Sequence, residues 1–216
     1  MNPTGAFADT EPTGSQRIAL GVAYQGSAYF GWQSQADGNT VQDKLQLALG
    51  QFTAGETIGT VCAGRTDSGV HGLMQVVHFD SHTYRDEASW VRGTNRYLPK
   101  DIAVQWARVV PKTFHARGSA LTRRYAYIVM ADGVRPCLDV DRVGWIHHPL
   151  QTAHMATAAQ YLLGEHDFSS FRAAQCQSPS PVKTLLRADL THMGAYIRLD
   201  VEGNAFLHHM IRNIMC

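Results

Sequence analysis

The sequence predicts an α+β fold built from two split βαβ units, the second incomplete at its C-terminus. Three observations lead there. The first half alternates strand and helix patterns in the order β-α-β-β-α-β. The second half repeats that order loosely and reaches the last residue before a closing strand. The length of 216 residues, 44% of them hydrophobic, is enough for one large core or two small ones.

Each element has a local reason. Residues 1–15 are rich in Gly, Pro, Thr and Asp and read as a flexible tail. Ile18, Leu20, Val22 and Tyr24 alternate along a half-buried strand, Arg17 to Tyr24. Gly26, Gly31 and Gly38 break the following stretch into a long loop carrying Tyr29, Phe30, Trp32 and Gln33. Thr40 caps a helix, with Asp43 completing the box and Val41, Leu45, Ala48, Leu49 and Phe52 at helical spacing. Strands are expected over Thr57–Cys62 and Leu73–Asp80, joined by a glycine-rich turn, Ala63 to Gly72. A short helix follows over Asp86–Tyr97, stopped by Leu98-Pro99, then a strand over Asp101–Val110.

In the second half, strands are expected over Leu121–Met130, Val182–Thr191 and Ala195–Glu202, with another over Arg142–Ile146. A helix is expected over Gln151–Leu163, with Met155, Ala159, Leu162 and Leu163 inward, and a last helix over Phe206–Cys216. The domains are then 16–112, holding the glycine-rich turn, and 113–216. The second lacks its closing strand, so the sequence reads as a fragment.

Composition narrows the function. No run of 18 apolar residues occurs and residues 1–16 lack a secretory pattern, which argues against a membrane protein. Four cysteines without a CxxC pair fit a reducing compartment, the cytoplasm. A net charge of +1 does not suggest a protein that coats DNA. The charge is uneven, −2 over residues 1–108 and +3 over 109–216, and 15 of the 19 basic residues are arginine. Arginine pairs with phosphate bidentately and stacks on rings. The densest basic run is Lys112, Arg117, Arg123 and Arg124.

The most distinctive segment is Ala63-Gly64-Arg65-Thr66-Asp67-Ser68-Gly69-Val70-His71-Gly72. Its glycines let a ligand approach the backbone. Arg65 and Asp67, two apart, can face the same way. A carboxylate beside a guanidinium stays ionised, a poor acid but a competent nucleophile or base in a dry site. An ordinary Asp in a hairpin turn is the plain alternative. No GxxxxGK[ST], no GxGxxG after a strand and no hydrolase serine elbow occurs.

Seven ordered blocks now resemble the tRNA pseudouridine synthase A family. They are Tyr24 to Gln33, Gly64 to His71, Leu98 to Ile102, Phe114 to Arg117, Arg123 to Tyr127, Gly164 to Phe171 and Gly203 to Asn213. The resemblance implies an isomerase that converts uridines in the tRNA anticodon stem-loop, at positions 38, 39 and 40, to pseudouridine. It implies two split βαβ (ferredoxin-like) domains around a basic central cleft, a homodimer, tRNA as partner and no cofactor. It puts the catalytic aspartate on Asp67, the arginine that helps turn the nucleotide out on Arg65, and the stacking aromatic on Tyr125. Arg212 falls where an arginine pairs with that carboxylate. The family usually has alanine where this chain has Ser68 and Gly72, and continues past the position of Cys216.

Arg117, Arg123, Arg124 and Lys112 are the expected phosphate contacts, with His209 lining the cleft. Trp32 is expected to pack, and His71 either to satisfy backbone groups or to touch RNA, with equal weight. No metal is expected: His208 and His209, adjacent on a helix, would point roughly 100° apart. A non-catalytic RNA-binding module is the rival, but it has no use for a carboxylate in a phosphate-binding cleft.

Overall fold

The computed structural model describes residues 14–215. The tail expected over 1–15 therefore lies outside the described residues apart from Gly14 and Ser15, and so does Cys216.

The first half runs β1 (Gln16–Tyr24), α1 (Val41–Phe52), β2 (Val61–Cys62), β3 (Gly72–Ser81), α2 (Glu87–Tyr97) and β4 (Ile102–Val110). Its sheet has the order β2-β3-β1-β4, every pairing antiparallel. Thus β3 lies between β1 and β2, the strands on either side of α1, which is the split βαβ order. The alternating face of β1 and the inward stripe of α1 meet in one cluster with Trp32, Phe79 and Trp90. Both helix starts are capped as their sequences suggest: Thr40 accepts from the Asp43 N–H, and Asp86 from the Ser89 N–H. The strand expected over Thr57–Cys62 shrinks to two residues. The Gln42 side chain on α1 donates to the Thr60 carbonyl (3.1 Å), so that backbone is satisfied by a helix rather than a neighbouring strand.

The second half runs β5 (Arg123–Ala131), β6 (Gly144–Ile146), α3 (Thr152–Gln160), β7 (Gly164–Asp167), β8 (Val182–Met193), β9 (Tyr196–Gly203) and α4 (Met210–Met215). Its sheet has the order β6-β5-β9-β8-β7, with β5–β6 parallel and the other pairs antiparallel. Eight of its buried residues form two small clusters, one around Leu199 and Val201, the other around Phe168 and Leu185, while Val129 and Ile197 are buried outside them.

Two expectations are corrected here. Strand β7 was not anticipated: all four of its residues are exposed, so no apolar alternation marks it, and it exists by pairing with β8. The last helix begins at Met210 instead of Phe206. Asn204, the nearby residue suited to cap a helix, accepts from the Thr184 N–H instead (3.1 Å). His209 then takes a positive φ of 61°, and the first α4 hydrogen bond runs from the Asn213 N–H to the His209 carbonyl.

Among the described residues, four of the contacts that tie the halves together are these. Arg17 donates to the carbonyls of Lys112 and Phe114, both 2.7 Å. The Ala116 N–H donates to His78 Nδ1 (3.1 Å). His71 bridges the Gly26 N–H (3.2 Å) and the Asp141 carbonyl (2.7 Å), the first of the two roles open to it. Arg123 makes the fourth, described below.

Candidate active site

The turn from β2 to β3 carries Asp67 and is held from beneath. Trp32, fully buried, donates its backbone N–H to the Thr66 carbonyl (3.0 Å). The Tyr24 hydroxyl pairs with the Thr66 hydroxyl (2.8 Å), and the Ser68 hydroxyl donates to the Tyr29 carbonyl (3.2 Å). The Gln75 side chain grips Gly64 at both its N–H and its carbonyl. Gly31 has a φ of 83°, and a Cβ there would run into the Thr66 carbonyl, so only glycine lets the loop lie this close. Gly72 is similarly tight: a Cβ would overlap the Tyr24 ring, so any larger residue there needs Tyr24 to move. Burial pushes the Tyr24 phenol up to about 12, which keeps it protonated at the Thr66 contact.

Asp67 is about one-third exposed, and two imidazoles from the other half reach it. His208 Nε2 lies 3.3 Å from one carboxylate oxygen and His209 Nε2 3.7 Å from the other. The two rings face each other with centroids 4.0 Å apart. The expectation that these histidines diverge on a helix is therefore corrected: they precede α4, and the positive φ at His209 turns both rings to one side. The segment is anchored by its buried neighbours Leu207 and Met210. The His208 backbone adds two bonds, its N–H to Cys176 Sγ (3.4 Å) and its carbonyl from the Ala173 N–H (3.1 Å). The donor atoms of Asp67, His208 and His209 all lie within 4.8 Å, a grouping able to hold a metal ion.

Tyr125 projects from β5 toward the same place. Its ring packs edge-on against Phe206, centroids 5.1 Å apart. Burial raises its phenol above the ordinary value; Arg123 opposes the rise and the Asp67 carboxylate adds to it. The hydroxyl therefore stays protonated near neutrality.

The cations are distributed differently from the expectation. Among the described residues, no ion pair joins Asp67 to Arg65 or to Arg212; both arginines are exposed, Arg65 on the turn and Arg212 on α4. Arg123 directs its guanidinium at three backbone carbonyls: Asn204 (2.7 Å), Ala63 (3.0 Å) and Arg117 (3.2 Å). It thereby fastens the first residue of the Asp67 turn to the end of β9. Arg124 pairs with Glu202 (2.8 Å) and Lys112 with Asp80 (3.2 Å). Arg117 is exposed close to the turn. Sequence reasoning missed two contributors, His208 at the carboxylate and Gln75 beneath the turn. The weak cap before Phe206 was the available sign that His208 and His209 precede the helix.

A family model described as tRNA pseudouridine synthase matches residues 21–117 and 158–216. The tRNA pseudouridine synthase A of Polaromonas sp. (strain JS666 / ATCC BAA-500) is 63% identical over 203 residues, covering 92% of this chain and 76% of that protein. That of Acidovorax ebreus (strain TPSY) is 58% identical over 213 residues, covering 92% and 77%. That of Variovorax paradoxus (strain S110) is 59% identical over 203 residues, covering 92% and 75%. A carboxylate on a braced turn, a half-buried tyrosine before it and these matches together make the chain a member of the tRNA pseudouridine synthase family, isomerases that convert uridine to pseudouridine in tRNA.

Proposed function

We propose that Asp67 is the catalytic carboxylate of a synthase acting on anticodon-arm uridines at positions 38, 39 and 40. One observation carries the reading: the turn that presents Asp67 is braced by five side-chain and backbone bonds, yet its carboxylate is left accessible opposite Tyr125. The reaction breaks the uridine N1–C1′ bond and joins C5 to C1′. It is redox-neutral and leaves the atom count unchanged, so the chemistry calls for no cofactor. Asp67 serves as nucleophile, at C6 of the ring or C1′ of the sugar, or as base toward the ribose 2′ side. Tyr125 offers a flat face to the flipped uracil. Its protonated phenol suits donation to the ring; taking the C5 proton would first require its own ionisation.

Arg65 is exposed beside the site and suits the task of displacing the target nucleotide. Arg212 brings a further cation on α4, three residues past His209. Arg117 and Arg124 supply phosphate contacts, with Lys112 at the edge and His209 in the cleft wall. For Arg123, the three carbonyl bonds favour a bracing role over a phosphate contact.

The chain divides into domains 16–112 and 113–216, the second a copy of the split βαβ unit. The neighbour order β5-β9-β8, with α3 between β5 and β8, supports that reading, because it repeats β1-β3-β2 around α1. A cytoplasmic homodimer with tRNA as its partner completes the proposal. Among the described residues no helix is long and apolar enough to cross a membrane.

The test is tritium release from tRNA labelled at uridine C5. The wild-type chain is expected to release label from a tRNA bearing uridines at 38 to 40. Asp67→Asn is expected to bind that tRNA and release none; release at the wild-type rate would remove Asp67 from the chemistry.

A further inference from the structure

We infer that Asp67, His208 and His209 form a binding site for a borderline divalent cation of the zinc type, and that occupancy switches the isomerase off. The donor set is two imidazole nitrogens and one carboxylate, which suits zinc and cobalt and is foreign to magnesium or calcium, whose ligands are oxygens. Asp67 and His208 are 3.3 Å apart and Asp67 and His209 3.7 Å, with all three donor atoms within 4.8 Å. A tetrahedral zinc with bonds of about 2.0–2.2 Å holds its ligands roughly 3.3–3.5 Å from one another. The two contacts run to different carboxylate oxygens, so side-chain rotation that brings one oxygen and both nitrogens from within 4.8 Å to that spacing completes three corners of the tetrahedron.

Two further features favour a cation over a plain contact. Both nitrogen–oxygen separations exceed the roughly 2.7–3.2 Å of an N–H···O hydrogen bond, so neither imidazole is fully engaged by the carboxylate. The three side chains are 34–39% exposed, which admits an ion from solvent and leaves a fourth position to water. That is the open three-ligand pattern rather than a sealed structural site. Neither imidazole has a second hydrogen bond among the described residues to orient it, so the site is a weak and reversible one. The backbone conformation that makes it is the positive φ at His209, which sets two adjacent rings on the same side.

Metal binding stands on this geometry alone; inhibition rests on the reading of Asp67 as the catalytic group. The ion would occupy the carboxylate that must meet the uridine.

The experiment is a titration of the chelator-treated chain with cobalt(II), read by visible absorption, and with zinc(II), read by calorimetry, in the absence of RNA. Expected are one equivalent bound, the intense visible bands of four-coordinate cobalt, and displacement of cobalt by zinc. His208→Gln and His209→Gln should each abolish the bands, with circular dichroism confirming the fold, while Cys176→Ser should keep them. Absence of the bands with the wild-type chain overturns the site without recourse to any variant. Their survival in the double histidine variant overturns it too, as does their loss in Cys176→Ser alone. Tritium release is then measured with and without zinc. Complete loss at saturation, reversed by chelator, supports inhibition. Unchanged release with the cobalt bands intact overturns the inhibitory half and points to the Asp67 reading, not the metal site, as the error.

Discussion

Beneath the first sheet, Trp32, Phe79 and Trp90 belong to one continuous cluster that spans four strands and two helices. In the second half, eight buried hydrophobic residues form two clusters of four, with Val129 and Ile197 outside both. The turn bearing Asp67 grows from the first of these, and everything that faces it (Tyr125, His208, His209) grows from the second. The carboxylate is thus fixed by a dense core and many local bonds, and the wall opposite stands on thinner support. A reacting atom tolerates little misplacement, whereas a wall that receives a flipped base has to accommodate it. The uneven packing of the halves matches that division of work.

The largest way to break this comparison is at the carboxylate itself. Asp67→Asn should lower the tritium-release rate about 10⁴-fold or more, with tRNA affinity by filter binding close to wild type. Loss of binding in parallel would show Asp67 to be a structural member of the turn.

Core truncation comes next. Trp90 is fully buried, and Trp90→Ala should cost about 3–5 kcal/mol. Phe168 is nearly as buried, and Phe168→Ala should cost a similar amount in the second half. Hydrogen exchange should find the amides of β5 and β9 opening more readily than those of β1 and β3 in the unmodified chain. Equal protection of both sheets would erase the contrast.

Third is the brace between the halves. Arg123→Ala removes three charge-assisted bonds to carbonyls and should cost about 2 kcal/mol in urea denaturation, since hydrogen bonds to charged groups contribute about 1.5–3 kcal/mol each and this one is half-exposed. It should slow turnover while leaving the salt dependence of tRNA binding unchanged. Arg117→Ala should do the reverse, reducing the slope of log affinity against log salt by about 0.7–0.9. Identical behaviour of the two would return Arg123 to the phosphate contacts.

The smallest effect is in pH. Arg17 holds the Asp80 carboxyl down to about 2 from an ordinary 3.8, chiefly through their hydrogen bond, with Lys112 assisting. A depressed folded-state value stabilises above the unfolded one, and that stabilisation is lost as pH falls through the folded one. The advantage of wild type over Asp80→Asn should be complete near neutrality, shrink below about 3.8 and vanish near 2. Because Asp80 is 40% exposed, solvent screening limits it to about 1 kcal/mol or less. A urea series at descending pH reads it.

The sequence was most legible where one physical signal acted alone. Alternation over Arg17–Tyr24 and the capping box at Thr40 needed no tertiary help, and both elements formed where expected. Strand β7, Gly-Glu-His-Asp, has no apolar face and owes its existence to a partner a dozen or more residues away. Periodicity cannot report such a strand. The last helix failed for a related reason: Phe206 to Met215 carries helical spacing, but one left-handed residue interrupts it. In the site, Asp67 and Tyr125 were picked out by their motifs. The bonds made by the cations were less legible, because a run of arginines does not reveal which carbonyls lie within reach; Arg123 found three. The ion pairs expected for Asp67 involved arginine, and the folded chain supplies imidazole instead.

The contact between residue 67 and residues 208 and 209 also has a meaning in time. Domains fold from the N-terminus as they leave the ribosome. Asp67 is therefore made early, while the two imidazoles that reach it are translated more than a hundred residues later.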